Sequence, residues 1–374
     1  MKHIFVILTA IILNVLIFNS GVISYPGYGS GTTDSSGTAT STTLVDDPKI
    51  TNIFPGEKHF ANMRMLTVVG ENAEAYWNSD GTKLVLQIHV GDGNCDQIYV
   101  MDLETCETEL VSTGKGVTTC AYWKYPENDK IIYGSTHLAH NECPKSVERS
   151  KGYIWRLHPE YDVFEANPDG TEIKQLTFEP VYDAEATFAH DGSSIIYTSL
   201  STGDLELWTM DPDGSNKKQM TNHLGYDGGA FFSWDGTKIV WRAYYPETDV
   251  EKDVYLAGLK ENSIRPMPLQ IRMMDRDGSN VIQITDNGNA NFCPFFMPGD
   301  ERIIFASNYQ GSSIMDFNLW IVDVDGNNLE QLTFYEGFDA FPMFSPDGTK
   351  LVFGSNRNQR NDGDTNIFLC DWVD

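Results

Sequence analysis

Positive charge is scarce in this sequence. Its 374 residues contain 26 Lys and Arg against 53 Asp and Glu, which gives a formal net charge of −27. Nucleic acids and anionic membrane surfaces are bound by basic faces, so this balance argues against nucleic acid as a partner. It favours cations or basic partners, or a solvated acidic surface with no ligand.

Common catalytic motifs are also absent. The sequence has no G-x-S-x-G, no H-E-x-x-H and no P-loop pattern, which are the signatures of serine hydrolases, zinc proteases and nucleotide-binding sites. No second domain that could hold a hydrolase is evident. The sequence therefore favours a non-catalytic role without deciding it.

Long apolar runs are confined to the amino terminus. Met1–Lys2–His3 precede a run from Ile4 to Phe18 that only Thr9 and Asn14 interrupt. A basic start and about fifteen apolar residues are typical of a signal peptide, whereas a membrane span needs roughly twenty. We predict a signal peptide at residues 1–24, with an uncleaved signal anchor as the alternative, and a secreted, periplasmic or extracellular protein with no membrane span after cleavage.

The next segment, residues 25–49, consists mostly of Gly, Ser and Thr. It has too few apolar residues to offset the entropy of ordering, which predicts a disordered linker. The folded domain is expected to cover residues 50–374.

Six cysteines are spread along the chain, and no two form a C-x-x-C pair. Disulfides are expected in a secreted protein. For Cys143 the sequence leaves two partners open, Cys120 and Cys95.

Internal repetition is the strongest feature of the sequence. AEATFAHDGSSIIYTS (184–199) and FPMFSPDGTKLVFGS (341–355) are two of six copies, each with alternating apolar runs separated by Asp-Gly turns. Alternation between such turns predicts short β-strands joined by hairpins. The second turn of a copy recurs at Gly170, Gly214, Gly278 and Gly326, about 44 to 64 residues apart, which is one propeller blade per copy. We label the four strands of a blade A to D, from the axis outwards.

The last copy ends without a fourth strand. The segment Arg64-Met65-Leu66-Thr67 resembles the missing D strand and precedes the first copy. A strand at about residues 62–68 is therefore expected to complete the carboxy-terminal blade and close the ring. The predicted fold is an all-β, six-bladed β-propeller of four-stranded antiparallel blades.

The segments FPMFSPDGTKLVFGSNR and LWTMDPDGSNKKQMT resemble repeats of the TolB-type six-bladed β-propeller family, over about residues 60–372. The resemblance implies the fold and little about function, because this blade occurs in proteins of several activities. TolB also carries an α/β domain before its ring, for which the linker leaves no room. A role in the Tol envelope system is therefore not expected.

Chemistry is expected on the face that carries the D–A and B–C connections, which we call the long-loop face. Its long segments include residues 136–160 and 243–265, and long loops on a rigid scaffold often carry function. Two columns of residues at the start of strand A are predicted to converge on the channel mouth there. The predicted ligand-binding residues in these columns are Asn72, Glu74, Asp183, Glu185, Asp227, Asn291 and Asp339. Aspartates that cap turns are the alternative interpretation.

Other side chains are candidates for the same face. Arg242 and Arg357 would clamp a carboxylate, and Tyr244 would form an aromatic wall. His137, His140, His158 and His223 are candidate metal ligands for a divalent ion such as calcium, manganese or zinc.

Two functions follow from these patterns. The first is a secreted, monomeric binding protein that presents an acidic channel mouth to a protein or carbohydrate ligand. The alternative is a metal-dependent lyase or hydrolase of uronate polysaccharides on the same face, in which the histidines hold the metal.

Overall fold

The computed structural model describes residues 53–89, 95–144 and 154–373. The predicted signal peptide and linker lie outside the described residues. The described chain forms six four-stranded antiparallel sheets, so the predicted six-bladed β-propeller is confirmed.

The first three blades follow the chain from strand A to strand D. Blade one contains β2 (Glu71–Trp77), β3 (Lys83–His89), β4 (Gln97–Asp102) and β5 (Thr108–Leu110). Blade two contains β6 (Thr118–Trp123), β7 (Ile131–Ser135), β9 (Asp162–Ala166) and β10 (Lys174–Gln175). Blade three contains β11 (Asp183–Phe188), β12 (Ile195–Ser199), β13 (Glu206–Met210) and β14 (Lys218–Gln219).

The last three blades repeat this order. Blade four contains β15 (Tyr226–Phe232), β16 (Lys238–Tyr244), β18 (Gln270–Asp275) and β19 (Ile282–Gln283). Blade five contains β20 (Asn291–Phe296), β21 (Arg302–Ser307), β22 (Asn318–Asp323) and β23 (Glu330–Gln331). Blade six contains β24 (Asp339–Phe344), β25 (Lys350–Ser355), β26 (Asn366–Trp372) and β1 (Phe60–Met65).

The outer strand of blade six comes from the amino-terminal part of the domain. Strand β1 pairs antiparallel with β26, with Phe60 opposite Trp372 and Arg64 opposite Leu369. The Leu66 amide then donates to the Ile367 carbonyl oxygen at 2.7 Å. The last sheet thus combines strands from both ends of the described chain.

In blades one, three, four and six, an aspartate at the A–B turn accepts a hydrogen bond from the amide two residues later. In blade one, Asp80 Oδ1 accepts from the Thr82 amide at 3.0 Å, and Gly81 between them has a φ of 71°. Asp347 and Thr349 make the same contact at 3.0 Å in blade six. These Asx turns explain why the repeated Asp-Gly pairs mark hairpins.

Neighbouring blades are joined near the axis by tryptophan side chains. Trp123 Nε1 of blade two donates to the Tyr76 carbonyl oxygen of blade one at 3.2 Å. Trp77 Nε1 of blade one donates in the same way to the Met343 carbonyl oxygen of blade six at 3.2 Å. Both indoles are fully buried, so they fill the space between sheets and satisfy their polar groups there.

The B–C connection of blade four contains a helix that was not predicted from the sequence. Helix α1 (Asp249–Lys260) begins with a capping box between Thr248 and Glu251, and the string T-D-V-E is the sequence signature of that cap. Its buried Tyr255 places its hydroxyl 2.7 Å from Asp204 Oδ1. Among the described residues, no helix has the length and apolar character needed to cross a membrane.

The insertions of blades two and four meet across blade three. Strands β8 (Trp155–Arg156) and β17 (Ser263–Ile264) pair antiparallel in a small two-stranded sheet. Trp155 thereby lies over Tyr226, with ring centroids 5.8 Å apart. This sheet positions aromatic side chains on the long-loop side of the channel.

Candidate functional site: an axial cavity

The innermost strand of every blade changes its register with strand B. In blade one the shift lies between Ala73 and Tyr76, and the other five blades shift at the equivalent place. One residue per blade lies in the left-handed region there, with φ between 51° and 59°. These residues are Glu74, Cys120, Glu185, Gly229, Cys293 and Phe341. Five of the six carry side chains, in a conformation that favours glycine.

A bulge in a strand redirects a side chain away from the regular alternation. Here all six left-handed residues line one cavity on the propeller axis, of about 360 Å³ including the space open to solvent. Its remaining wall comes from the same strands and from strand B of blade four. Those residues are Tyr76, Ala121, Thr187, Ala230, Phe231 and Arg242.

An aromatic layer closes the channel towards the A–B turns. Phe231 packs edge-on against Tyr76 at 5.5 Å and against Phe295 at 5.2 Å between ring centroids. Beyond it, the His190 ring at an A–B turn stacks on Trp234 at 4.4 Å. These rings therefore fill the channel on the A–B side of the cavity.

A second aromatic group lies beside the cavity in blades five and six. Phe341, which lines the cavity, has its ring 5.9 Å from Phe292 and 6.3 Å from Phe338. Phe292 also contacts Phe317 edge-on at 5.0 Å. All four side chains keep partial solvent exposure, so this side of the cavity presents apolar rings.

The opposite side holds a buried ion pair. Arg242 Nη2 forms a salt bridge with Glu185 Oε1, and both side chains are almost fully buried. Glu185 Oε2 also accepts from Thr198 Oγ1 at 2.8 Å and from the Gly229 amide at 3.1 Å. The guanidinium lies over the Trp155 ring, 5.1 Å from its centroid. With these partners the Glu185 charge is balanced inside the protein.

Two glycines in blade four make room for this ion pair. A Cβ on Gly228 would overlap the Tyr226 hydroxyl and the Glu185 carboxylate, and one on Gly229 would lie 2.7 Å from Arg242 Nη1. Blade four is thus the one blade whose left-handed position carries no side chain. The Gly-Gly pair in its strand A marks the place where the arginine enters the cavity wall.

Glu74 has a different environment from Glu185. Its closest polar contact is the Cys120 thiol, whose Sγ lies 3.5 Å from Glu74 Oε1, and a thiol is a weak donor. No salt bridge to Glu74 is found among the described residues. Burial raises the pKa of the Glu74 carboxyl to about 7, although the Cys120 contact and the Arg242 charge lower it. Part of the side chain still faces the cavity space.

Both cavity thiols are held in the protonated form. Burial raises the pKa of the Cys120 thiol well above its usual range, and the Glu74 and Glu185 charges add to this. Burial does the same to Cys293. These thiols are therefore poor nucleophiles and act as small, weakly polar wall residues.

The first predicted column lies within the wall of the ring. Its members among the predicted site residues are Asn72, Asp183, Asp227, Asn291 and Asp339, and each is at most 1% exposed. Asp227 Oδ1 accepts from Trp241 Nε1 at 2.6 Å and from the Tyr245 hydroxyl at 2.9 Å. Asn72 Nδ2 donates to the Thr365 carbonyl oxygen at 2.8 Å. These groups join strands and connections, and they do not line the axial cavity.

The other predicted ligand contacts also lie outside the cavity, except Arg242. Arg357 is 1% exposed, and its Nη2 lies 2.7 Å from Asp339 Oδ2 and 3.0 Å from Glu57 Oε1. Tyr244 packs beside the cluster around Tyr226 and Tyr255. Arg357 thus joins two buried carboxylates, those of Glu57 and Asp339.

The four candidate metal ligands do not form one cluster, although Glu160 and His140 both lie near enough to His158 to affect its pKa. His137 Nδ1 lies 3.0 Å from Ser135 Oγ, and His223 stacks on Tyr245 at 4.2 Å. His140 Nε2 is 3.8 Å from Glu160 Oε2, and the His158 ring lies 6.1 Å from that of Tyr161. Among residues 53–89, 95–144 and 154–373, no group of three or more His, Cys, Asp or Glu is placed to hold a metal ion.

Cys143 forms a disulfide with Cys95, which is one of the two predicted pairings. Cys120, the other candidate partner, is a free thiol in the cavity wall. The disulfide ties the B–C connection of blade one to the insertion of blade two. His137 and His140 lie in that insertion, just before Cys143.

Several cavity residues were not predicted from the sequence. Cys120, Gly229, Cys293 and Phe341 occupy the same repeat position as Glu74 and Glu185, but only the two glutamates were named as ligand contacts. Their shared position in the repeat was the sequence signal that could have identified them as cavity residues. Tyr76 and Phe231 lie two residues after Glu74 and Gly229, respectively, in strand A. Because both fit the regular apolar alternation of a strand, the sequence did not indicate that they line the cavity floor.

The fold and this cavity define a six-bladed β-propeller with an axial pocket. No protein-family model matches the sequence, and comparison with curated proteins gives no match. Among solved structures, a TolB from Agrobacterium tumefaciens is similar with a TM-score of 0.54 and 19% identity, over 82% of this chain and 91% of that chain.

Two further solved structures share the architecture. TolB from Acinetobacter baumannii gives a TM-score of 0.51 at 18% identity, over 81% of this chain and 63% of that chain. A gluconolactonase from Xanthomonas campestris gives 0.54 at 12% identity, over 88% and 96%. The match to TolB propellers confirms the predicted fold resemblance, and identities this low define the fold alone.

Proposed function

We propose that this protein is a secreted, monomeric binding protein whose ligand enters the axial cavity from the long-loop face. One observation carries the proposal: six left-handed residues, one from each blade, converge on a cavity that is closed at its far end. Strained backbone that recurs around one pocket is typical of functional sites. Concave pockets with few polar groups are typical ligand sites.

A binding role agrees with the chemistry of the wall. The thiols are protonated, the Glu185 charge is balanced by Arg242, and the aromatic layer is packed. The Cys120 thiol contacts the Glu74 carboxyl at 3.5 Å, but burial raises the pKa of this thiol well above its usual range, so it is a poor nucleophile. The Cys95–Cys143 disulfide supports an oxidising, extracytoplasmic location.

The lyase alternative has less support. It requires histidines that act together on a metal ion, and among the described residues no group of three or more His, Cys, Asp or Glu is placed to hold one. Its substrate would also carry negative charge towards a protein of net charge −27. The binding role is therefore our proposal for the cavity.

A ligand panel tests this proposal. Organic ammonium ions, neutral sugars, uronate oligomers and short basic or acidic peptides would be screened by thermal shift and calorimetry. At least one class should raise the melting temperature of the parent at millimolar concentration. The matched variant is Cys293→Leu, which adds volume at a position where blade six already carries Phe341.

The variant should fold and lose the stabilisation. The proposal is overturned if no class stabilises the parent, or if a folded Cys293→Leu protein responds as the parent does. Formation of unsaturated products from the uronate oligomers would contradict the non-catalytic role and support the lyase alternative.

A further inference from the structure

We propose that the axial cavity binds an organic ammonium ion, with the Glu74 carboxylate as counter-ion and the rings of Tyr76, Phe231 and Phe341 as its aromatic wall. This inference rests on the proposed binding function and specifies the ligand class. All four side chains line the same cavity. A carboxylate beside aromatic faces is the chemistry that recognises ammonium groups carrying alkyl substituents.

The charges inside the cavity favour a single positive charge. Arg242 and Glu185 neutralise each other in a salt bridge. Glu74 has no such bridge among the described residues, and only the Cys120 thiol contacts its carboxyl group. Ionised Glu74 therefore leaves the cavity with one uncompensated negative charge, which a monocation would balance.

The composition of the wall favours an organic cation over a metal ion. Calcium and magnesium take about six or more oxygen ligands, whereas this cavity offers one uncommitted carboxylate among thiols and rings. In the described part of the chain no metal-holding group is present. An alkylammonium ion is weakly hydrated and gains contact with the rings, so it suits this wall better.

The ionisation of Glu74 couples ligand binding to pH. The charged and titratable groups that interact with its carboxyl are Cys120 on β6, Glu185 on β11, Arg242 on β16, Cys293 on β20, Asp96 before β4, and the buried Tyr76 and Tyr161. Arg242 lowers the pKa of Glu74, while Glu185 and Asp96 raise it, and burial is the largest cause of the rise to about 7. A bound cation would favour the ionised form and release a proton.

Calorimetry with defined probes tests the inference. The probes are choline, n-butylammonium and 3,3-dimethylbutanol, which has the shape of choline without its charge. Both cations should bind the parent with a Kd on the order of 1 mM at pH 8. The neutral alcohol should bind at least about tenfold more weakly. At pH 7, titrations in two buffers of different ionisation enthalpy should show proton release that disappears at pH 8.5.

Three variants separate the contributions. Glu74→Gln removes the charge at almost constant volume and should weaken both cations about tenfold. Phe341→Leu removes a ring and should weaken choline by about threefold to tenfold, because the cation–π contact is lost. Glu109→Gln makes the same substitution at an exposed site of blade one and should leave both affinities unchanged.

The outcomes distinguish this inference from the proposed function. If the neutral alcohol binds as tightly as choline, or folded Glu74→Gln keeps parental affinity, the ammonium specificity is wrong while cavity binding stands. If no probe binds the parent but another class in the ligand panel does, only the ligand class is overturned. If nothing binds, or binding persists in folded Cys293→Leu, the cavity function fails as well.

Discussion

Glu57 and Arg357 form an ion pair although 300 residues separate them in the sequence, with 3.0 Å between Glu57 Oε1 and Arg357 Nη2. Neither side chain has appreciable solvent exposure. The same guanidinium lies 2.7 Å from Asp339 Oδ2. This contact joins the segment before β1 to the sheet that β1 completes, so one arginine connects the first and last parts of the propeller.

Arg357→Met should destabilise the protein strongly. The change leaves Glu57 and Asp339 buried without their cation, and loss of one partner from a buried ion pair costs about 3–5 kcal/mol. Chemical denaturation at pH 7 measures the free energy of unfolding. Lys217→Met is the control, because it breaks a partly exposed pair with Glu179 at 2.9 Å that should contribute about 1 kcal/mol or less. Equal effects would show that Arg357 does not anchor the ring.

The free energy of unfolding of the parent should fall as the pH rises from 5 to 8, and Glu74→Gln should make this fall smaller. The carboxyl has its pKa raised from 4.5 to about 7, so the folded state retains a proton that the unfolded chain has lost. Stability therefore falls as pH rises from about 4.5 to 7, and it levels off above 7. Removing this group should shrink the fall by about 1–2 kcal/mol, allowing for its partial exposure to solvent.

The measurement is urea unfolding of parent and variant at pH 5, 6, 7 and 8. Glu109→Gln, on the surface of the same blade, should give the parental pH profile. Parallel profiles for the parent and Glu74→Gln would show that this carboxyl titrates as it does in the unfolded chain.

His190→Phe should make stability less sensitive to acid. Burial lowers the pKa of His190 to about 4, so the folded state keeps the ring neutral while the unfolded chain takes up a proton near pH 6.5. The stability that this residue contributes is present above pH 6.5 and is lost as pH falls towards 4. Phenylalanine can keep the stacking on Trp234 but cannot titrate.

The variant should lose about 1 kcal/mol at pH 7, because it removes the contacts of His190 with Ser233 and Tyr122. Its free energy of unfolding should then decline less than that of the parent between pH 6.5 and pH 4.5. A decline equal to that of the parent would indicate that other groups cause the acid sensitivity.

Reduction of the disulfide should destabilise the loops on the long-loop face. Cys95 and Cys143 close a segment with a sequence separation of 48, and a cross-link of this size is worth about 2–4 kcal/mol. Dithiothreitol should therefore lower the melting temperature of the parent. A Cys95→Ser, Cys143→Ser double variant should melt at the lower temperature with or without reductant. An effect of reductant on the double variant would point to another cysteine pair.

The architecture could be predicted because its signals are local. Asp80 and Thr82 form a turn through hydrogen bonds two residues apart, and the same chemistry recurs at Asp347 and Thr349. Alternating apolar residues between such turns specify strands whatever lies next to them. Helix α1 could have been found in the same way from its capping box.

The site was predicted only in part because register shifts depend on neighbouring strands. Simple alternation assigns Asn72 and Glu74 to the same face, but the shift between Ala73 and Tyr76 leaves Asn72 in the wall and directs Glu74 into the cavity. Arg242 was predicted to clamp a ligand carboxylate. In the folded protein Arg242 instead forms a salt bridge with Glu185 of the adjacent blade three.

The sequence by itself determined the repeat, the hairpin turns and the six-bladed ring, since these follow from short-range hydrogen bonds and the period of apolar residues. Only the tertiary structure decided which polar groups satisfy one another and which remain uncommitted. Arg357 is used within the wall of blade six, Glu185 is balanced by Arg242, and Glu74 is left facing the cavity. The physical reason is that desolvation and charge compensation depend on side chains from different blades, which meet only when the ring closes.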